Sequence, residues 1–240
     1  MTKLNNIKGI LFDKDGTLFD FHLSWSNWAI NIIENLSKNY NIEKVRLANV
    51  LQFNLQERCF ERNSPFIAET LSQTINRIAK ALPKANETNL KKFLINEASN
   101  QIQMPIVGLE KTLKALRARG LILGVATNDA EISAIRHLQE AQIIKYFDFI
   151  VGYDTGCGSK PEPGQILSFC GKMGFKPSEV IMIGDSTHDL IASQKAESIA
   201  IAVLTGMATK EELEPYAFTV INSIRDLPSL VIKTTKNVEN

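Results

Sequence analysis

The spacing of apolar residues changes twice along the chain. Residues 7–12 form a short apolar run that stops at a charged, glycine-containing turn, the pattern of a buried strand. From about residue 24 to residue 102 the strand signal fades. Trp25, Trp28, Ile32 and Leu36 recur at intervals of three and four, which predicts a helix, and residues 45–60 and 66–82 continue in the same style. Asn63-Ser64-Pro65 and Pro83-Lys84-Ala85-Asn86 supply breaks, and residues 88–101 read as a further helix. After Met104-Pro105 the two periods alternate. Helix 109–119, ended by Gly120, is followed by strand 121–126, helix 130–140, strand 147–151, helix 163–173, strand 179–183, helix 188–196 and strand 199–204. The tail from about Lys233 is polar and is expected to fray.

Strands alternating with helices imply right-handed crossovers and a mostly parallel sheet. The first strand has no partner near it in sequence, so it is expected to join the sheet formed after residue 105. The predicted fold is α/β. Its core is a Rossmann-like, doubly wound, mostly parallel sheet of residues 1–19 and 105–240, and residues 20–104 form an inserted helical unit beside it.

Composition adds limits rather than direction. Hydrophobic residues make up 44% and charged residues 22% of the 240, ordinary for a chain that buries a core. With 27 basic and 26 acidic side chains the net charge is +1, so nothing electrostatic calls for nucleic acid or an anionic membrane as partner. An anionic ligand must be recognised by a built site. Cys59, Cys157 and Cys170 show no paired spacing, which fits a reducing compartment and argues against a disulfide scaffold or structural zinc. No stretch approaches the ~20 apolar residues of a membrane span, and no secretory signal is evident, so a cytoplasmic location is expected.

Four short segments sit where predicted strands run out, the edge at which open parallel sheets bind ligands. Asp13-Lys14-Asp15-Gly16-Thr17 sets two carboxylates one residue apart on a glycine turn. One carboxylate can attack phosphorus, the second can act as general acid and then base, and glycine lets backbone amides approach phosphate oxygens; a solvated turn has the same composition. Thr127-Asn128 offers a hydroxyl at a strand end, although Thr-Asn-Asp also caps helices. Lys160-Pro161 supplies a cation able to offset charge on a transferring group. Gly184-Asp185-Ser186-Thr187-His188-Asp189 places two acids four apart on a loop entering a helix, suited to a hard cation such as magnesium or, alternatively, to a helix dipole.

In order and placement these segments resemble the haloacid-dehalogenase-like (HAD) superfamily, in particular the phosphoglycolate-phosphatase-like branch of its subfamily I. The resemblance spans residues 7–20 and about 105–230. The insertion matches the family's helical cap in position and length, without a motif of its own. The resemblance implies a Mg2+-dependent phosphomonoester hydrolase acting through an aspartyl phosphate on a small phosphate ester, with phosphoglycolate the leading candidate. Asp13 would be the nucleophile and a magnesium ligand, and Asp15 the acid/base, contributing to the metal through its backbone carbonyl. Thr127 and Lys160 would hold the phosphoryl group, Lys160 also restraining Asp13, and Asp185 and Asp189 would complete the metal site. Gly16, Thr17, Asn128 and His22 would border the substrate.

The second carboxylate argues against dehalogenation, because a halide leaving group needs no proton. A phosphomutase of the same superfamily remains open, since the cap decides it, and a phospho-accepting signalling module is disfavoured by the long stretch between Thr17 and Thr127. Phosphonate-cleaving relatives need a cap lysine, and nothing marks Lys38 or Lys44 for that role. Trp28 is expected to pack between cap helices, while Trp25 and His22 stay open between packing and substrate. His188 is expected at the surface or behind the metal, Lys14 pointing away from the two aspartates by strand alternation, and His137 partly exposed on its helix. Arg58 and Arg62 can face a substrate carboxylate or solvent equally.

Overall fold

A computed structural model of the chain describes residues 4–62, 64–67 and 69–231. The frayed tail expected from Lys233, and Asn63 of the expected break, lie outside them. The first strand, β1 (Gly9–Phe12), is buried along its whole length. The chain then enters a helical segment built of α1 (Phe21–Tyr40), α2 (Lys44–Leu51), a hairpin of β2 (Phe53–Asn54) and β3 (Cys59–Phe60), α3 (Leu71–Ala81) and α4 (Glu87–Ser99). It returns through α5 (Leu109–Arg117), β4 (Ile122–Ala126), α6 (Glu131–Glu140), β5 (Phe149–Val151) and α7 (Gly164–Met173). The last part holds β6 (Val180–Gly184), α8 (Thr187–Lys195), β7 (Ile199–Val203), α9 (Lys210–Leu213), β8 (Thr219–Ile221) and α10 (Leu227–Leu230).

Six of the strands form one sheet in the order β5-β4-β1-β6-β7-β8, and every pairing in it is parallel. Alternation along β1 divides the core. Ile10 and Phe12 pack with Leu113 and Leu116 of α5 and Leu138 of α6, while Leu11 packs on the other face with Ile166 and Phe169 of α7. Strand order runs outward from β1 in both directions, so the carboxyl ends of β1, β4 and β6 form the crevice where such sheets place ligands.

The helical segment packs round its own apolar cluster, which draws all its buried members from residues 21–98. Two crossings join it to the sheet, and they lie side by side. Asp20 N donates to Met104 O (2.8 Å), Met104 N to Ser24 Oγ (3.0 Å), and Gln101 Nε2 to Ser24 O (2.5 Å). Asp20 also caps α1 by accepting from Leu23 N at 2.9 Å.

Two expectations for this segment change. The helix expected over 45–60 stops at Leu51, because Gln52 takes a left-handed conformation (φ 48°) and Ser64 Oγ caps the Leu51 carbonyl. Asn54 Oδ1 then accepts from Gln56 N and Glu57 N, a side-chain turn that outcompetes the helix and closes the hairpin. The helix expected over 66–82 starts only at Leu71, where Thr70 and Gln73 form a reciprocal cap. In the sheet, β8 had not been expected separately; its three residues, two half-buried and Ile221 buried, are too few to show a period.

Candidate active site

The segments named from sequence converge on one cavity between the strand ends and the helical segment. Asp13 directly follows β1 and donates its amide to Ile183 O of β6 at 2.8 Å, which fixes where the carboxylate emerges. Thr127 follows β4, and its Oγ1 accepts from Asp129 N (3.0 Å), so the hydroxyl keeps its own proton to donate. Lys160 arrives on the loop after β5. Its position is set by Asn128, whose side chain exchanges two hydrogen bonds with the Lys160 backbone (3.0 and 2.9 Å). Asp185 and Asp189 follow β6, Asp189 held by Ser186 N and Oγ at 3.1 and 2.7 Å.

Lys160 Nζ lies 2.6 Å from Asp13 Oδ1, 2.6 Å from Asp189 Oδ1 and 2.9 Å from Ala126 O. Asp13 Oδ1 and Ala126 O accept hydrogen bonds from the ammonium, and Asp189 Oδ1 lies beside it as an ion-pair partner. Burial by itself would lower the Lys160 pKa, but Asp13 and Asp189 outweigh it and hold the ammonium charged. Burial pushes the Asp13 carboxyl up to about 7; Lys160 opposes that, and Asp189 and Asp15 reinforce it. Asp185 is raised well above the usual carboxylate range, again by burial and then by Asp13 and Asp189.

Asp13, Asp185 and Asp189 each bring a carboxylate oxygen to within 4.8 Å of the others, and all three are buried. Three acids share one lysine there. An all-oxygen donor set with uncompensated negative charge fits a hard divalent cation, and magnesium suits it better than zinc, which favours nitrogen and sulfur. The Asp15 carboxylate is not part of this group.

Asp15 is instead held by Lys14, whose direction was misjudged from sequence, and by Trp25, which the sequence left open between packing and substrate. Lys14 had been expected to point away from both aspartates. The chain leaves strand geometry after Phe12, the Lys14 carbonyl accepts from Leu18 N and Phe19 N, and its side chain turns inward to be fully buried. Lys14 Nζ sits 2.9 and 2.8 Å from the Asp15 oxygens, 3.4 Å from Asp129 Oδ2 and 3.2 Å from His137 Nδ1. Trp25 Nε1 of α1 adds a 2.7 Å donor to Asp15 Oδ1, and Lys14 lies 5.3 Å over the Trp25 ring.

His137, expected partly exposed, is fully buried because α4 packs onto α6 there. Its Nε2 lies 3.0 Å from Ala98 O, an acceptor, so Nε2 carries the proton and Nδ1 accepts from Lys14. Burial, followed by Lys14, pushes its pKa down to about 3, which keeps the ring neutral. Burial also raises Asp129 to about 6, with Lys14 pulling the other way.

Asp13, Asp15, Thr127, Asn128, Lys160 and Asp185 all line the cavity. Asp189 is buried behind Lys160, and Gly16 and Thr17 lie behind Asp185, with Thr17 Oγ1 3.4 Å from Asp185 Oδ1. His22 is not brought in: its side chain is exposed, one helical position off the inward face of α1 that carries Phe21 and Trp25. Trp28 packs among Trp25 and Phe66, as expected. His188 is half-buried and lines the cavity, whereas Arg58 and Arg62 are exposed and do not.

Two contributors lacked a usable signal. A Cβ at Gly206 would come within 1.7 Å of Asp185 Oδ2, and one at Gly16 (φ 76°) within 2.4 Å, so Asp185 occupies a slot between two glycines. Gly206 follows β7 just as the other segments follow their strands, which is the only hint it gives. The wall opposite the carboxylates comes from Phe21, Trp25, Phe66, Ile67, Glu69 and Leu71, whose helical spacing reads simply as packing.

The chain is 26% identical over 259 residues to a phosphoglycolate phosphatase of Escherichia coli O157:H7, covering 100% of this chain and 99% of that protein. It is 27% identical over 228 residues to the pyrophosphatase PpaX of Oceanobacillus iheyensis, covering 94% and 97%. A solved structure described as a predicted phosphoglycolate phosphatase from Haemophilus somnus superposes with a TM-score of 0.75 at 21% identity, over 94% of this chain and 98% of that one. The family model of haloacid dehalogenase-like hydrolases matches residues 10–203, a span that runs from β1 through β7 and takes in every acid and the lysine of the cavity. By that match, this chain belongs to the haloacid dehalogenase-like hydrolases.

Proposed function

We propose that the protein is a magnesium-assisted phosphomonoester hydrolase in which Asp13 forms an aspartyl phosphate. The observation that carries this reading is the pair of differently held carboxylates. Asp13 is restrained by Lys160 at 2.6 Å beside the acid cluster, and Asp15 is turned the other way onto Lys14 and Trp25. Two carboxylates kept in separate environments suit two roles. An Asp13 oxygen bonds to phosphorus as the ester P–O bond breaks, and Asp15 gives its proton to the departing alkoxide. Asp15 then takes a proton from the water that attacks the same phosphorus and frees Asp13.

Magnesium, held by Asp13, Asp185 and Asp189, would supply the positive charge that lets an anion attack an anionic phosphate. Lys160 restrains Asp13, and it can reach a phosphoryl oxygen by giving up Asp189, the partner for which a cation competes. Thr127 donates its hydroxyl, and Asn128 keeps Lys160 in register. The helical segment of residues 20–104 acts as a cap that closes the cavity and meets the leaving group. A cytoplasmic setting fits the three free cysteines.

The test is phosphate release from a panel of small esters with and without magnesium, run beside Asp13→Asn. Phosphoglycolate, the ester ranked first by resemblance, belongs in it. Magnesium-dependent release that disappears in Asp13→Asn is expected. Near-normal release by the variant contradicts the mechanism, and an isomerised sugar phosphate from a hexose 1-phosphate marks a mutase instead.

A further inference from the structure

The wall that faces the carboxylates has a definite chemistry. Phe21, Trp25, Phe66, Ile67 and Leu71 present rings and aliphatic carbons to the cavity, and Glu69 is the charged residue that lies among them in the lining. The aromatic rings are locked against one another. Phe66 stacks on Trp28 (centroids 4.8 Å apart, 17° between planes) and on Phe60 (4.8 Å, 10°), and Trp25 packs edge-on to Phe66 at 5.2 Å.

A carboxylate on the leaving group would need a cation or free backbone amides on that wall. Among the described residues the cavity's one ammonium or guanidinium is Lys160, which is paired with Asp13 and Asp189 at the phosphoryl end.

Five amides of the stretch from Phe66 to Leu71 are used as well. Phe66 N donates to Ser64 Oγ, Ile67 N to Ser64 O, Glu69 N to Pro65 O, Thr70 N to Gln73 Oε1, and Leu71 N to Asn128 O. These five amides are therefore unavailable to an anion at the start of α3. Glu69 is paired with Arg77, which leads away from the cavity to a separate groove on the outer face. A second carboxylate placed here would face apolar carbons and a Glu69 carboxylate already paired with Arg77, with no cation of its own, and would lose its hydration.

We infer that the alcohol released by this enzyme is uncharged, with an apolar or aromatic body that packs on Phe21, Trp25 and Phe66, and that carboxylate-bearing esters are disfavoured. The inference rests on the phosphatase reading above and narrows its substrate.

The experiment compares kcat/KM for phenyl phosphate, propyl phosphate and phosphoglycolate, using the full chain with magnesium. Phenyl phosphate and propyl phosphate are expected to exceed phosphoglycolate by about tenfold or more, the scale of a few apolar contacts won and one charge left unpaired. Glu69→Gln, which removes the wall's carboxylate while leaving Arg77, should raise phosphoglycolate relative to phenyl phosphate. Phosphoglycolate preferred by the unmodified enzyme overturns the inference and leaves the phosphatase reading standing. An unchanged ratio in Glu69→Gln also counts against it. No release from any ester overturns both.

Discussion

Lys14 provides the sharpest perturbation. It is fully buried, and its ammonium is the counter-charge for both Asp15 and Asp129. Lys14→Met fills a similar volume but leaves two acids without their cation. Removing one partner of a buried ion pair costs about 3–5 kcal/mol. Protonation offsets part of that cost, because Asp129 already holds its proton up to about pH 6. A carboxyl raised above its unfolded value stabilises the fold at low pH and loses that contribution as pH rises through the folded value. The variant's deficit in stability is therefore expected to be larger at about pH 8 than at about pH 5.

The catalytic effect separates a positioning role from a structural one. Without Lys14, Asp15 keeps only the Trp25 donor to orient it. A misplacement of about 1 Å can cost roughly 10²-fold in rate. Only a leaving group that needs a proton feels this loss in kcat/KM, which reports the steps through phosphoenzyme formation. The folded Lys14→Met variant should therefore lose about 10²-fold on propyl phosphate and far less on p-nitrophenyl phosphate, whose phenolate departs without help. Steady-state kinetics on both esters, corrected for folded fraction, reads the contrast. An equal loss on the two esters would refute the reasoning, and so would no loss on either.

Two further outcomes follow from the acid cluster. Asp13 in the metal-free protein titrates at about 7 and Asp185 is raised too, so a cation must displace protons below neutrality. Magnesium affinity, measured by calorimetry, should be roughly tenfold or more weaker at about pH 6 than at about pH 8, with proton release on binding; equal affinity at the two pH values would count against the cluster as the metal site. Gly206→Ala drives a Cβ into Asp185 and should abolish most of the thermal stabilisation by magnesium, at a cost to the metal-free fold of about 1–3 kcal/mol. A normal magnesium response in that variant would contradict the slot between the glycines.

Much of the sheet was legible because its signals are local. β1, β4, β6 and β7 are short apolar runs between turns, and the segments after them keep their placement whatever the helical segment does. The hairpin at 53–60 was not legible, since it depends on one asparagine side chain capturing two amides. Lys14 and His137 were misjudged for a related reason. Each obeys local periodicity in sequence, and each is buried by a contact made across the fold, Lys14 with Asp129 and His137 with Ala98. The cavity wall was hidden because aromatic residues at helical spacing serve packing and substrate contact alike. Gly206 shows the limit most plainly, as its importance lies in the atom it lacks beside Asp185.

The most direct measurement asks whether phosphate is carried on Asp13. The enzyme would be quenched during turnover of p-nitrophenyl phosphate with magnesium, treated with borohydride, and digested for mass spectrometry. Reduction of an acyl phosphate converts its aspartate to homoserine, and the predicted result is homoserine at residue 13, absent without substrate and absent in Asp13→Asn. Unmodified Asp13 in a quench that captures the steady state, or homoserine at Asp15, Asp185 or Asp189 instead, would contradict the assignment of the nucleophile.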